Sequence, residues 1–326
     1  MRVMQFHEFG GIKALRLEDA AEPSPGAGEI VVKVTAVGLN FFDTLMLRNK
    51  YQFTPPLPYS PGGEIAGVVE ALGEGVTEFQ VGQRVAAFIG GNGCREKIAI
   101  KADAAIPIPD GVSDDVAAGV IITYGTALHA FKDRADLKRD ESVAVLGAAG
   151  GAGIAAVEIA KLMGGHVIAV ASSEDKIAFA KAHGADDGVD YAKDDLKKTL
   201  KQLTQPTGVD VLYDCVGGEA AEPSLRAMAW EGRFLVIGFA SGEIPRIPLN
   251  LVLLKGCDIL GVFWTAFVKR DPGAHRANTA RILEWCKDGK IAPHVYETFP
   301  LGEAPKALSL IKERKVTGKV IVHPQE

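Results

Sequence analysis

The sequence predicts an α/β protein in which a doubly wound parallel sheet is set into a β-rich frame. Three observations predict it. Short valine-rich runs broken by turn signals fill the first third. From Ser142 to Val262 apolar runs alternate with helical segments. A glycine-rich turn joins the first of those runs to its helix.

In the first third, Glu29–Val37 alternates as a half-buried strand does, and Glu64–Leu72 and Arg84–Ile89 follow it. Turns rich in proline and glycine, Pro55–Gly63 and Gly73–Gly75, separate them, so a compact and mostly antiparallel unit is expected. The pattern changes near Asp114. Strands are then expected at Ser142–Leu146, His166–Ala171, Gly188–Tyr191, Val209–Asp214, Arg233–Ile237 and Asp258–Val262. Helices are expected from Gly151 to Met163 and from Ser173 onward. Strands that alternate with helices demand crossover connections and a parallel sheet covered on both faces. The near-continuous apolar character of the runs agrees with that burial. The tail carries helices near Ala277–Lys287 and Ala304–Lys312 and a strand at Lys319–His323. Being too short for a core of its own, it is expected to pack on the first third.

Composition narrows the function classes. A 47% hydrophobic and 24% charged chain is the mixture of a folded protein. With 36 basic against 41 acidic residues the net charge is −5, which disfavours a general nucleic-acid or acidic-membrane binder. No stretch approaches the roughly 20 apolar residues that span a bilayer. Met1–Gly11 lacks the apolar core of a secretory signal, and Cys94, Cys215, Cys257 and Cys286 are scattered, so a cytoplasmic location is expected.

The sharpest local signal is Leu146-Gly147-Ala148-Ala149-Gly150-Gly151-Ala152-Gly153. A diphosphate must approach backbone N–H groups at the positive end of a helix, and a side chain at the closest point blocks it. Against a strict GxGxxG pattern, Ala148 replaces the first glycine while Gly150 and Gly153 remain. With a strand before it and a helix after it, dinucleotide binding is the reading. At the end of the second strand, where NAD-preferring sites place an acid, the chain reads Ala171-Ser172-Ser173-Glu174-Asp175-Lys176. Two hydroxyls and an ammonium suit a 2′-phosphate, so the expected cofactor is NADPH. The plainer reading is that Ser172 or Ser173 caps the helix while Lys176 is solvated.

These motifs, with Gly38-Leu39-Asn40-Phe41-Phe42-Asp43, Pro61-Gly62-Gly63-Glu64-Ile65-Ala66-Gly67-Val68-Val69 and Tyr213-Asp214-Cys215-Val216-Gly217-Gly218, resemble the medium-chain dehydrogenase/reductase superfamily. Within it the chain is similar to the zinc-independent quinone oxidoreductase branch that includes zeta-crystallin. The resemblance covers essentially the whole chain. It implies a Rossmann domain over residues 122–262, inserted in a GroES-like catalytic domain of residues 1–121 and 263–326, with the acceptor in the cleft between. Zinc alcohol dehydrogenases of the superfamily carry cysteine where this chain has Asn40 and histidine where it has Gly63. Glu64 alone remains and is no zinc site. No metal is therefore expected, and without a Lewis acid the chemistry favours acceptors that are already electron-poor.

The resemblance also implies residue roles. Asn40 and Asp43 lie beside the nicotinamide, Tyr51 near the mouth of the acceptor pocket, and Thr123 at the start of a helix facing the nicotinamide. Gly150, Gly151, Ala152 and Gly153 meet the diphosphate. Ser172, Ser173 and Lys176 meet the 2′-phosphate, and Tyr191 flanks the adenosine. Gly238, Phe239 and Ala240 border the nicotinamide ribose, and the backbone of Phe263 and Trp264 binds the carboxamide. Plainer readings stand beside these: Asn40 and Asp43 as turn formers, Tyr51 as a half-buried aromatic, Phe263 and Trp264 as packing residues. The expected activity is NADPH-dependent reduction of quinones or similar acceptors by a homodimer paired through Asp258–Val262. Reduction of an alkenal, enone or enoyl thioester is the alternative enzyme, and an NADPH-binding sensor or structural protein the alternative outside catalysis.

Overall fold

The computed structural model describes residues 1–326. The chain divides into two compact units, Met1–Ile122 with Arg276–Gly289 and Pro293–Glu326, and Thr123–His275 with Lys290–Ala292.

The first unit is built on a seven-stranded sheet. Its path runs Val295–Pro300, Lys319–His323, Glu29–Leu39, Glu64–Leu72, Arg84–Phe88 and Ala105–Pro107, with Lys97–Lys101 added on Glu29–Leu39. All neighbours are antiparallel except the pair at the tail. Glu29–Leu39 is longer than the alternation predicts because three partners satisfy its backbone: Val37, Gly38 and Leu39 pair with Val322, Ile321 and Val320. The tail thus packs on the first third, and Phe6, Ile30, Val34, Ile65, Phe299, Leu308 and Val320 share one core.

In the second unit six parallel strands lie in the spatial order Asp187–Asp190, His166–Ala171, Ser142–Leu146, Val209–Asp214, Met228–Val236, Asp258–Gly261. In chain order this is 3-2-1-4-5-6, the doubly wound arrangement, which puts ligands at the strands' carboxyl ends beside the central switch point. Val143 pairs with Val167 on one side and Val211 on the other, so the first strand is central and buried on both faces.

This unit runs on past residue 262, where the sequence reading ends the inserted domain. The helix Trp264–Arg270 belongs to it because Phe267 stacks on His129 at 4.1 Å. The Trp264 indole also lies so close over Gly125 that a Cβ there would sit 3.1 Å from it. No helix is long and apolar enough to cross a membrane.

Candidate functional site

The strand Ser142–Leu146 delivers the chain into Gly147, whose φ of 71° is a left-handed conformation suited to glycine. Gly147 N–H donates to Val170 O at 2.9 Å, and Gly150 N–H to Gly147 O at 3.0 Å, which closes the turn. The helix Gly151–Leu162 starts from extended backbone at Gly150, with no side chain capping it. Its first-turn amides, those of Gly151, Ala152 and Gly153, therefore lack the acceptor a capping residue provides. The two end glycines have different reasons to be glycine. A Cβ on Gly153 would lie 2.0 Å from Gly147 O, so only glycine lets the helix close on the turn. A Cβ on Gly150 would meet its nearest atom at an ordinary 3.5 Å. Nothing inside the fold requires glycine there, and the open space in front of it is what a ligand needs.

The adjoining strand ends support this turn. Asp214 Oδ1 accepts from the backbone N–H of Val216 at 2.9 Å and of Gly217 at 2.8 Å, and burial raises its pKa above the usual carboxylate range. Cys215 donates to Leu146 O at 3.1 Å, and burial pushes its thiol up to about 12, so at neutral pH it is an inert thiol. Gly238 and Ala240 donate from their backbone N–H groups to Asp214 O and Cys215 O, at 3.3 and 3.1 Å. The Phe239 ring covers Gly217, where a Cβ would sit 2.8 Å from it.

Beyond the second strand, Ser173 caps the helix Glu174–Ala182, its Oγ accepting from Lys176 N at 3.4 Å. Lys176 Nζ turns back to donate to Ser172 Oγ at 3.1 Å, leaving an ammonium and a hydroxyl side by side at the strand tip. Glu174 is exposed and its carboxylate lies 3.5 Å from Lys193 Nζ. Tyr191 directly follows the third strand, is held by its backbone N–H, which donates to Ala171 O at 3.0 Å, and keeps its ring partly exposed.

In the first unit a buried polar cluster surrounds Asn40. Asp43 is fully buried; its two oxygens accept from Asn40 N at 2.8 Å and Gly62 N at 2.9 Å. Desolvation lifts its pKa to about 7 despite these donors. Glu64 Oε1 accepts from Asn40 Nδ2 at 2.8 Å and from Lys319 Nζ at 2.7 Å, and Oε2 from Ile122 N at 2.8 Å. Lys319 Nζ also donates to Asn40 Oδ1 at 2.7 Å and Leu39 O at 2.9 Å. The amide of Asn40 is thereby held at both ends. No group of three or more His, Cys, Asp or Glu side chains is arranged to hold a metal ion.

Comparisons with known proteins agree with this architecture. The alcohol dehydrogenase GroES-like domain matches residues 26–132, and the zinc-binding dehydrogenase model matches residues 151–280. A quinone oxidoreductase-like protein 2 homolog from Nematostella vectensis is 36% identical over 328 residues, covering 100% of this chain and 89% of that protein. This chain belongs to the quinone oxidoreductase-like branch of the medium-chain dehydrogenase/reductase superfamily. Among solved structures, Escherichia coli quinone oxidoreductase complexed with NADPH superposes with a TM-score of 0.92 at 27% identity, over 99% of this chain and 100% of that one. The quinone oxidoreductase of Thermus thermophilus, solved also as its NADPH complex, gives 0.86 at 33% identity, over 99% and 100%.

As a member of this oxidoreductase branch the chain brings Gly150–Gly153, Cys215, Gly238 and Ala240 to one end of the parallel sheet. Thr123 departs from the sequence reading. It does not begin a helix but lies buried inside the helix Asp114–Leu128, whose start is set by Ser113, which accepts from Val116 N at 3.2 Å. Phe263 is exposed and precedes the helix that Trp264 opens, its carbonyl accepting from Ala266 N at 3.0 Å; Trp264 is buried edge-on against His275. Two residues escape sequence reasoning. Lys319 is 255 positions from Glu64 along the chain, and no local pattern joins them. Phe42 sits within a quoted motif, yet only the fold lays its ring over Gly63, where a Cβ would be 2.8 Å from Phe42 Cζ.

Proposed function

We propose that the protein is an NADPH-dependent, zinc-free reductase of quinones or similar electron-poor acceptors. The uncapped turn at Gly150–Gly153, open at Gly150, carries the reading. Gly151, Ala152 and Gly153 present donors to a diphosphate, with the positive end of a twelve-residue helix behind them. Ser172 and Lys176 then bind the 2′-phosphate, Tyr191 lies along the adenosine, and Ser173 contributes by fixing the helix that carries Lys176. The backbone of Gly238, Phe239, Ala240, Phe263 and Trp264 frames the nicotinamide half, with Thr123 orienting its carboxamide. NADPH supplies the hydride.

A catalytic zinc does not fit the residues present. Asn40 stands at the cysteine position and its amide is engaged with Lys319 and Glu64. The space a histidine at position 63 would enter is filled by the Phe42 ring. Of the family's zinc-ligand positions only Glu64 keeps its residue type, and its carboxylate is paired with the Lys319 ammonium at 2.7 Å. Metal polarisation of an alcohol therefore has no donor set here, which favours acceptors that need none. Asn40 and Asp43 fix the floor of the acceptor site, and Tyr51 lines its entrance.

The protein acts as a homodimer in this reading. Asp258–Gly261 is an edge of the six-stranded sheet, with Ile259 partly exposed. The preceding helix Leu249–Lys255 leaves Leu253 79% and Leu254 73% exposed, and Trp230, 73% exposed, lies against Gly256 at its end. An open edge beside so much apolar surface calls for cover, and a second copy pairing through the same edge gives it.

Steady-state turnover of quinones, alkenals and enoyl thioesters, each with NADPH and NADH and with a chelator present, tests the proposal. Quinone turnover with NADPH that survives chelation is expected. Fast alkenal reduction with no quinone turnover defeats it in favour of a double-bond reductase. NADPH binding with no acceptor oxidising it points to a sensor or structural role.

A further inference from the structure

A buried carboxylate in the second unit, that of Glu158, is left unused by the coenzyme contacts above. It stands on the helix Gly151–Leu162, whose first turn carries the phosphate-facing amides, and is 6% exposed. Its oxygens accept from residues far apart in the sequence. Oε1 lies 2.6 Å from His183 Nδ1, which donates, since an ionised carboxylate only accepts. Oε2 accepts from the Tyr124 hydroxyl at 2.9 Å and from the backbone N–H of Ala292 at 3.1 Å. All of these residues belong to the second unit. The His183 ring also packs on Phe179, with centroids 4.7 Å apart.

Both side-chain donors sit on elements that carry a coenzyme residue. Tyr124 is buried in the helix Asp114–Leu128, next to Thr123. His183 closes the helix Glu174–Ala182 as its C-cap, about two turns from Lys176 near the other end. Glu158 therefore joins the helix of Thr123, the helix of the diphosphate amides and the helix of Lys176. A carboxylate is a poor choice if filling space were the whole task. Apolar residues of similar volume stabilise a core as well as a buried ion pair, or better. What the carboxylate adds is direction. Charge-assisted hydrogen bonds hold their donors within a narrow range of distance and angle. Placement at that scale matters, since a shift of roughly 1 Å in a binding group can slow a reaction about a hundredfold.

We propose that Glu158 is a positioning residue with two separable arms. Through His183 it sets the reach of Lys176 toward the 2′-phosphate, and through Tyr124 it sets the place of Thr123 against the nicotinamide. The inference rests on the coenzyme placement proposed above and adds residues that touch no ligand. Preference for NADPH is then governed in part from the far end of the helix that bears Lys176.

The test compares wild type with His183→Leu, His183→Asn, Tyr124→Phe and Glu158→Gln. Dissociation constants for NADPH and NADH are measured by calorimetry. Hydride transfer is followed as single-turnover oxidation of bound NADPH by a quinone, and thermal midpoints are recorded for each variant. His183→Leu should weaken NADPH binding about three- to tenfold while NADH changes by less than about twofold. His183→Asn, whose amide nitrogen can take the place of Nδ1, should restore most of that loss. Tyr124→Phe should slow hydride transfer about three- to tenfold and leave both dissociation constants unchanged. Glu158→Gln changes almost no volume, so it carries the test even if His183→Leu fails to fold. Its carbonyl still serves Tyr124 and Ala292 while a neutral amide faces His183, so NADPH affinity should fall and the hydride-transfer rate should hold. Lower thermal midpoints with an unchanged NADPH-to-NADH affinity ratio and an unchanged hydride-transfer rate overturn the inference, because Glu158 then only holds the fold together. Equal losses for the two nucleotides in both His183→Leu and Glu158→Gln overturn the arm that reaches the 2′-phosphate. Wild type that binds NADPH but passes hydride to no quinone overturns the proposed activity instead, and the affinity ratio in Glu158→Gln still decides the inference.

Discussion

Lys319 Nζ lies 2.7 Å from Glu64 Oε1, and both side chains are buried. The pair joins the last strand of the chain to the fourth of its sheet path. Removing one partner leaves a charge stranded away from water, which costs about 3–5 kcal/mol. Lys319→Met should therefore lower the unfolding free energy by about that amount. Lys319→Met with Glu64→Gln should recover much of it, since a glutamine carbonyl still accepts from Ile122 N. Denaturant titration of the two variants beside wild type measures both quantities, and a double variant no better than the single one contradicts the assignment of the cost to a stranded carboxylate.

The two glycines that bracket the phosphate turn give opposite expectations. Gly150→Ala has room for its methyl group and a compatible backbone, so its thermal midpoint should match wild type while its NADPH affinity falls at least tenfold. Gly153→Ala drives a Cβ into Gly147 O and should lose stability as well as affinity. Calorimetric titration and thermal unfolding together separate the cases. Unchanged affinity in Gly150→Ala means that no ligand occupies the open space.

Lys176→Ala removes the ammonium beside Ser172. Binding of NADPH should weaken by about 1.5–3 kcal/mol, the contribution of a charge-assisted hydrogen bond, while NADH binding stays nearly constant. Dissociation constants for both nucleotides check this. Equal losses for the two mean that Lys176 never meets the 2′-phosphate.

Burial lowers the pKa of His275 from 6.5 to about 4, so the folded protein holds this imidazole neutral where the unfolded chain takes up a proton. The stability linked to it is complete above about pH 6.5 and is lost as the pH falls toward 4. Urea midpoints for wild type should drop between pH 7.5 and pH 5. In His275→Gln the drop over the same interval should be shallower, and an identical drop assigns the acid sensitivity to other groups.

Legibility in the sequence followed the range of the interactions concerned. Ser142–Leu146, Val209–Asp214 and Lys319–His323 could be bounded from apolar runs alone because both faces of each are buried. Met228–Val236 starts earlier than the expected Arg233, since Trp230, Glu231 and Gly232 break the apolar run; the pairing with Val209–Asp214 jumps from Met228 to Arg233 across this stretch, where Glu231 takes a φ of 58°. Val295–Pro300 is an edge strand with an exposed Tyr-Glu-Thr centre, and its composition carries no burial signal. The helix Leu196–Leu203 buries only Leu196 and Leu200 among its lysines. In the candidate site the glycine turn was readable because backbone geometry dictates residue type locally. Lys319 was not, because its partners come from the other end of the chain.

The place of Lys319–His323 between Val295–Pro300 and Glu29–Leu39 also fixes an order of maturation. The six parallel strands are contiguous in the chain and can assemble as soon as they leave the ribosome, whereas Val37–Leu39 lack a partner on one side until the final strand is synthesised. Translation therefore finishes the interior segment before the outer one. A chain stalled short of Lys319 leaves the end of that strand, Val37–Leu39, unpaired with an uncompensated Glu64 beside it, the kind of nascent species that chaperones retain and proteases clear.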